Sequence, residues 1–148
     1  MTEDSKETSG WVITVKEKLP DAPSPEAVFV KLASPTTWKD WRSESNQASL
    51  AEGVTEPIPT GGNYSLKIGF LWVNVDVTSC SNMCFETKGS AFFGLVQATG
   101  KFSVKKEGAD IVVELEERQT GWIKPPKDGA IRANKLMIEE LNKSFQTK

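Results

Sequence analysis

Ser24-Pro25-Glu26-Ala27-Val28-Phe29-Val30-Lys31-Leu32-Ala33-Ser34-Pro35-Thr36-Thr37-Trp38-Lys39-Asp40-Trp41 is the stretch whose reading decides the fold. Ser24 is placed to cap a helix with its hydroxyl, Pro25 suits the first helical position, and Glu26 sits at the positive helix end. Val28 and Leu32, with Phe29 and Ala33, recur at helical spacing and give the helix one apolar face. Pro35 stops it, because the residue before a proline avoids helical geometry. Thr36 to Trp41 then reads as a second, short helical turn carrying two tryptophans.

Upstream, Trp11 to Leu19 alternates as a strand, and Met1 to Ser9 is a polar, charged tail without the apolar core of a secretory signal. Downstream the chain becomes strand after strand. Asn46 to Glu52 is the first, followed by a turn at Pro-Ile-Pro-Thr-Gly-Gly, residues 57–62. Tyr64, Leu66, Ile68 and Phe70 alternate with Ser65, Lys67 and Gly69. In the next strand Leu71, Val73, Val75 and Val77 oppose Trp72, Asn74, Asp76 and Thr78, and the tryptophan side is read as outward; the alternative register turns Trp72 and Asp76 inward. Met83 to Lys88 and Ala91 to Val104 continue the sheet, with Phe92, Phe93 and Phe102 as apolar bulk. Asp110 to Thr120 is the last strand. After Lys124-Pro125-Pro126-Lys127, Asp128 is expected to cap a helix running to Phe145, with Ile131, Asn134, Ile138, Leu141 and Phe145 on one stripe. Gly69, Gly94 and Gly100 fall inside strands, where glycine marks a bulge or a close approach.

One strand, two short helices, a run of strands and a long terminal helix make an α+β pattern. The order of the first strand, SPEAVFVKL and SPTTWKDW resembles the opening of the START-like (SRPBCC) superfamily, which includes the birch-pollen-allergen relatives, lipid carriers and polyketide cyclases. The resemblance spans Trp11 to Phe145. It implies a helix-grip fold: a curved antiparallel sheet of about seven strands wrapped around the C-terminal helix, with two short helices after strand one. It also implies an internal ligand cavity. Residues 10–148 are accordingly expected to form one ligand-binding domain behind the tail at 1–9.

Composition narrows the function. At 148 residues one domain is expected. A net charge of −2 gives no overall electrostatic footprint for nucleic acid or an anionic membrane. No apolar run reaches the ~20 residues of a membrane span, so the expectation is a cytoplasmic protein without membrane insertion, a monomer or homodimer. Histidine is absent, which removes histidine triads and histidine metal sites. No cofactor or metal is expected. Cys80 and Cys84 bracket a tight loop at Ser81-Asn82-Met83 and read as reduced thiols.

The candidate site follows from alternation and from the cavity the resemblance implies. On the last strand Ile111, Val113 and Leu115 face the interior, which carries Glu117 and Gln119 toward the same space. A carboxylate there is desolvated and suited to acid–base work; the alternative places Glu117 at the exposed sheet margin. Tyr64, the only tyrosine, shares a face with Leu66 and offers a hydroxyl to a ligand carbonyl or enol. Asn134 interrupts the helix stripe and needs a polar partner. Glu117 and Tyr64 are thus the catalytic candidates. Trp41, Leu66, Val113, Leu115, Gln119, Asn134 and Ile138 are the ligand-binding ones, and Trp122 is placed to cover the cavity's end. Two functions remain open. One is a cofactor-independent cyclase or dehydratase (lyase or isomerase class) of the polyketide cyclase/dehydrase type in secondary metabolism. The other is a non-catalytic carrier or sensor of a lipid or other apolar metabolite.

Overall fold

The computed structural model describes residues 10–43, 47–68 and 70–146. Residues 1–9, 44–46, 69 and 147–148 lie outside them, among them the expected tail, the start of the strand read from Asn46, and Gly69. Seven strands form one antiparallel sheet: β1 (Trp11–Lys18), β2 (Gln47–Leu50), β3 (Asn63–Ile68), β4 (Leu71–Ser81), β5 (Cys84–Ala91), β6 (Val96–Glu107) and β7 (Asp110–Gln119). Their spatial order is β1-β7-β6-β5-β4-β3-β2, so the first strand closes against the last and the rest follow as a meander. Two helices pack on this sheet, α1 (Pro25–Leu32) and α2 (Lys127–Lys143), and a 3₁₀ turn (Pro35–Asp40) follows α1.

The decisive stretch folds as its chemistry dictates. The Ser24 hydroxyl accepts a hydrogen bond from the Ala27 amide at 3.2 Å. Val28, Leu32 and Ala33 are fully buried, and the Trp38 indole N–H donates back to the Lys31 carbonyl at 3.1 Å, folding the 3₁₀ turn onto α1. Glu56 holds that turn from the loop after β2, accepting from the Thr36 amide at 2.8 Å and the Thr36 hydroxyl at 2.6 Å. Lys31 reaches the far end of the chain. Its ammonium donates to the Ser144 hydroxyl at 2.7 Å and lies 4.3 Å from the centre of the Phe145 ring.

The core fills the concave face. Val73, Val75 and Val77 of β4, Phe85 of β5, Phe102 and Val104 of β6, and Val113 and Leu115 of β7 meet Met137, Ile138 and Leu141 of α2. Trp72 stands on the solvent side, as its alternation with the valines requires. The hairpin between β4 and β5 is tighter than the sequence suggests: only Asn82 and Met83 form the loop, both left-handed at φ +54° and +60°. Ser81 pairs with Cys84 and Cys80 with Phe85, so consecutive side-chain rows send the two sulfurs to opposite faces. Both cysteines are free, and burial pushes both thiols up.

Several expectations need correction. The stretch from Ala91 to Val104 is not one strand: Phe92–Gly94 forms a 3₁₀ turn in which Phe92 and Phe93 take positive φ and point outward, so of the three phenylalanines only Phe102 joins the core. Gly94 accordingly sits in this turn and not in a strand. Phe70 falls in the turn after β3 and is exposed. Asp128 does not cap α2. Pro126 holds the cap position without a side-chain bond, and Asp128 lies in the first turn, where its charge still suits the helix dipole. The helix ends at Lys143, short of Phe145.

Candidate functional site

Antiparallel register lays the inward side chains in rows across the strands. One row runs Tyr64, Val75, Gly89, Ala98, Gln119 from β3 to β7, and the next runs Val77, Thr87, Gly100, Glu117. The middle of both rows is small. Gly89, Ala98 and Gly100 leave the sheet floor unfilled below the N-terminal half of α2, and a pocket of about 220 Å³ opens there. A β-carbon on Gly89 would already approach Val73 Cγ1 to 3.1 Å, so this floor is as low as the backbone allows.

Polar groups converge at one end. Glu117 Oε2 accepts a hydrogen bond from Gln119 Nε2 at 2.6 Å, and Glu117 Oε1 accepts one from Asn134 Nδ2 at 2.9 Å. The carboxylate thus clamps β7 to α2, and its need for donors fixes which way both amides turn. That orientation leaves Gln119 Oε1 buried without a partner among the described residues, in a residue only 6% exposed that lines the pocket. An acceptor in this state calls for an N–H or O–H donor from whatever fills the space.

The opposite wall is aromatic and cationic. Tyr64 packs edge-on against Trp38 with ring centres 6.3 Å apart, and burial pushes its phenol well above the usual range, so it stays a neutral donor. Arg42 lines this wall, with its guanidinium 5.6 Å from the centre of the Trp38 ring. Leu66, Leu115 and Phe102 supply apolar surface between the two ends.

Of the residues singled out from sequence, Tyr64, Leu66, Leu115, Glu117, Gln119 and Asn134 line this one pocket. Val113 and Ile138 do not. Both are buried in the core, and the helix residue that reaches the pocket is Met137, one position before Ile138. Trp41 lines a separate depression with Glu140 and Lys143, and its buried indole N–H has no partner among the described residues. Trp122 is 77% exposed and does not line the pocket. The pocket is also smaller than the ~300–1,000 Å³ of ordinary ligand sites. Sequence reasoning missed Met137, Arg42 and the small floor residues. For the floor the signal was present, since Gly89, Ala98 and Gly100 share the inward face.

No protein-family profile matches the chain, and no curated protein matches it in sequence. Solved structures do match it in shape. A hypothetical protein from Helicobacter pylori superposes with a TM-score of 0.79 at 10% identity, covering 93% of this chain and 89% of that one. The ginseng major latex-like protein 151 from Panax ginseng gives 0.71 at 13% identity, over 94% and 99% of the two chains. The chain has the helix-grip fold of these structures. CalU16 from Micromonospora echinospora shares it with a TM-score of 0.65 at 15% identity, over 91% of this chain and 76% of that one. Among the described residues of this helix-grip protein no helix is long and apolar enough to cross a membrane, and no cluster of three metal-ligating side chains occurs.

Proposed function

We propose that the chain takes a small molecule with an apolar body into this pocket and that Glu117 works on it as an acid–base group, in the manner of polyketide cyclase/dehydrase-like proteins. The observation that carries this reading is the Glu117 carboxylate, held inside the pocket by Gln119 and Asn134. A group fixed from two sides needs little reorganisation when a substrate proton comes within reach. Removing a proton from the carbon beside a substrate carbonyl gives an enolate, and the Tyr64 phenol is a donor for its oxygen. Attack of that carbon on a second carbonyl closes a ring, and the proton on Glu117 returns to the new alkoxide. The volume near 220 Å³ favours a compact substrate, and Gln119 Oε1 favours one with a hydroxyl or N–H at that end.

A second reading, a carrier of an apolar metabolite, has its own observation. Both Glu117 oxygens already accept amide hydrogens, as in a network that only positions side chains. Native mass spectrometry of protein purified from its own host identifies the bound metabolite. Binding and turnover of that compound are then measured on the parent and on Glu117→Gln. The enzyme reading expects turnover to fall by about 10²–10⁴-fold with binding little changed. Full turnover in the variant removes Glu117 from the chemistry, and binding without turnover in the parent leaves the carrier.

A further inference from the structure

We infer that the end of the grip at the pocket mouth docks onto a bilayer surface carrying anionic lipid. Three connections meet at this end. Ile68 pairs with Leu71 across the β3–β4 turn, Ala91 pairs with Val96 across the 3₁₀ turn, and Gln119 closes β7 beside Ala98. The Ile123 amide donates to the Leu95 carbonyl at 2.9 Å, tying the third connection to the second. Their tips are apolar and turned to solvent: Phe70 is 90% exposed, Phe93 fully so, and Phe92, Leu95, Trp122 and Ile123 are all exposed.

Solubility alone does not account for this. Phe92 and Phe93 hold φ of +53° and +56°, a backbone state that bulky residues rarely adopt and that costs free energy. The chain accepts that cost to present rings outward when inward rings would enlarge the core. The tip is also continuous with the pocket, because Ile68 both lines it and lies on this rim.

Local charge selects the occupant. Residues 67–72, 91–97 and 120–128 carry Lys67, Lys124 and Lys127 against a single carboxylate, Asp128 at the start of α2, in a chain whose net charge is −2. Net charge conceals this asymmetry. Protruding aromatics flanked by lysines suit the headgroup boundary of a membrane, where rings enter the acyl region and ammonium groups stay with anionic headgroups. A second copy of the chain fits less well, since a two-fold contact through this tip brings the same lysines together.

The test is co-sedimentation of the full chain with phosphatidylcholine vesicles, with and without phosphatidylserine. Binding is expected only with phosphatidylserine and should weaken as salt rises. Phe93→Asp/Trp122→Asp is expected to reduce it at least tenfold. Lys67→Glu/Lys124→Glu should do the same, each lysine being worth about fivefold near an anionic surface. All four side chains lie at the surface or its margin, so unchanged melting of the variants keeps the result interpretable. Absence of binding by the parent, or equal binding by the aromatic variant, overturns the assignment. So does a solution dimer that Phe93→Asp dissociates while vesicles bind neither form, which gives the face to protein contact.

Discussion

Ala98→Leu separates what the pocket does for stability from what it does for binding. Ala98 lies on the inward face of β6, between Gly89 and Gln119 in the row that forms the pocket floor. Leucine adds three carbons to a space of about 220 Å³. If all three become buried, at about 0.8 kcal/mol each, the gain approaches roughly 2.4 kcal/mol, and imperfect fit returns about 1–3 kcal/mol of it. Stability is therefore expected to stay level or rise by up to about 1.4 kcal/mol, against the usual loss for a core substitution. Binding should go the other way. 1-Aminoanthracene, a neutral fluorophore with an apolar body and an N–H donor for Gln119 Oε1, is a suitable reporter. Its affinity should fall at least tenfold, because the ring and the leucine compete for the same volume. Denaturant unfolding and fluorescence titration on one preparation measure both quantities. Unchanged affinity in a folded variant refutes the assignment of the pocket, and a loss of several kcal/mol in stability refutes the claim that the floor is open space.

Two further outcomes follow from the packing. Leu141 is fully buried between helix and sheet, so Leu141→Asp loses its apolar burial and strands a charge, at a cost of several kcal/mol; melting within a few degrees of the parent contradicts the grip. Burial raises the Cys80 and Cys84 thiols, so alkylation by iodoacetamide at neutral pH should run slower than for free cysteine and accelerate only at higher pH. The sign for stability follows: the folded state holds these protons more tightly than the unfolded chain, so stability falls as pH rises through about 8.5. Rapid alkylation at neutral pH counts against their burial.

Period and punctuation made most of the fold legible. Alternation in Leu71 to Thr78 and in Asp110 to Thr120 named the buried faces of β4 and β7, because a two-residue period leaves no other choice once one face is apolar. The same alternation carried Glu117 and Gln119 inward. What failed depends on long-range geometry. Met137 and Ile138 are adjacent on one helix and both buried, and only the line along which the sheet curves under α2 decides which reaches the pocket. Trp41 follows a 3₁₀ turn whose end faces Glu140 and Lys143, a direction that no local pattern encodes. Phe92 and Phe93 read as strand by propensity, and the positive φ that turns them out is set by the β5–β6 connection.

The breaks in the pattern are as informative as the pattern. A chain selected for stability alone would place a larger apolar residue at 98 and leave position 117 uncharged, since those changes fill volume and avoid burying a carboxylate. This chain instead keeps two glycines and an alanine in the sheet floor, and it spends Gln119 and Asn134 on solvating Glu117. The arrangement also leaves the Gln119 amide oxygen without a partner among the described residues. All of these features border the same 220 Å³. Local rules that fail together around one space are what the proposed binding role expects of a sequence, because a site that must stay open cannot be filled for stability.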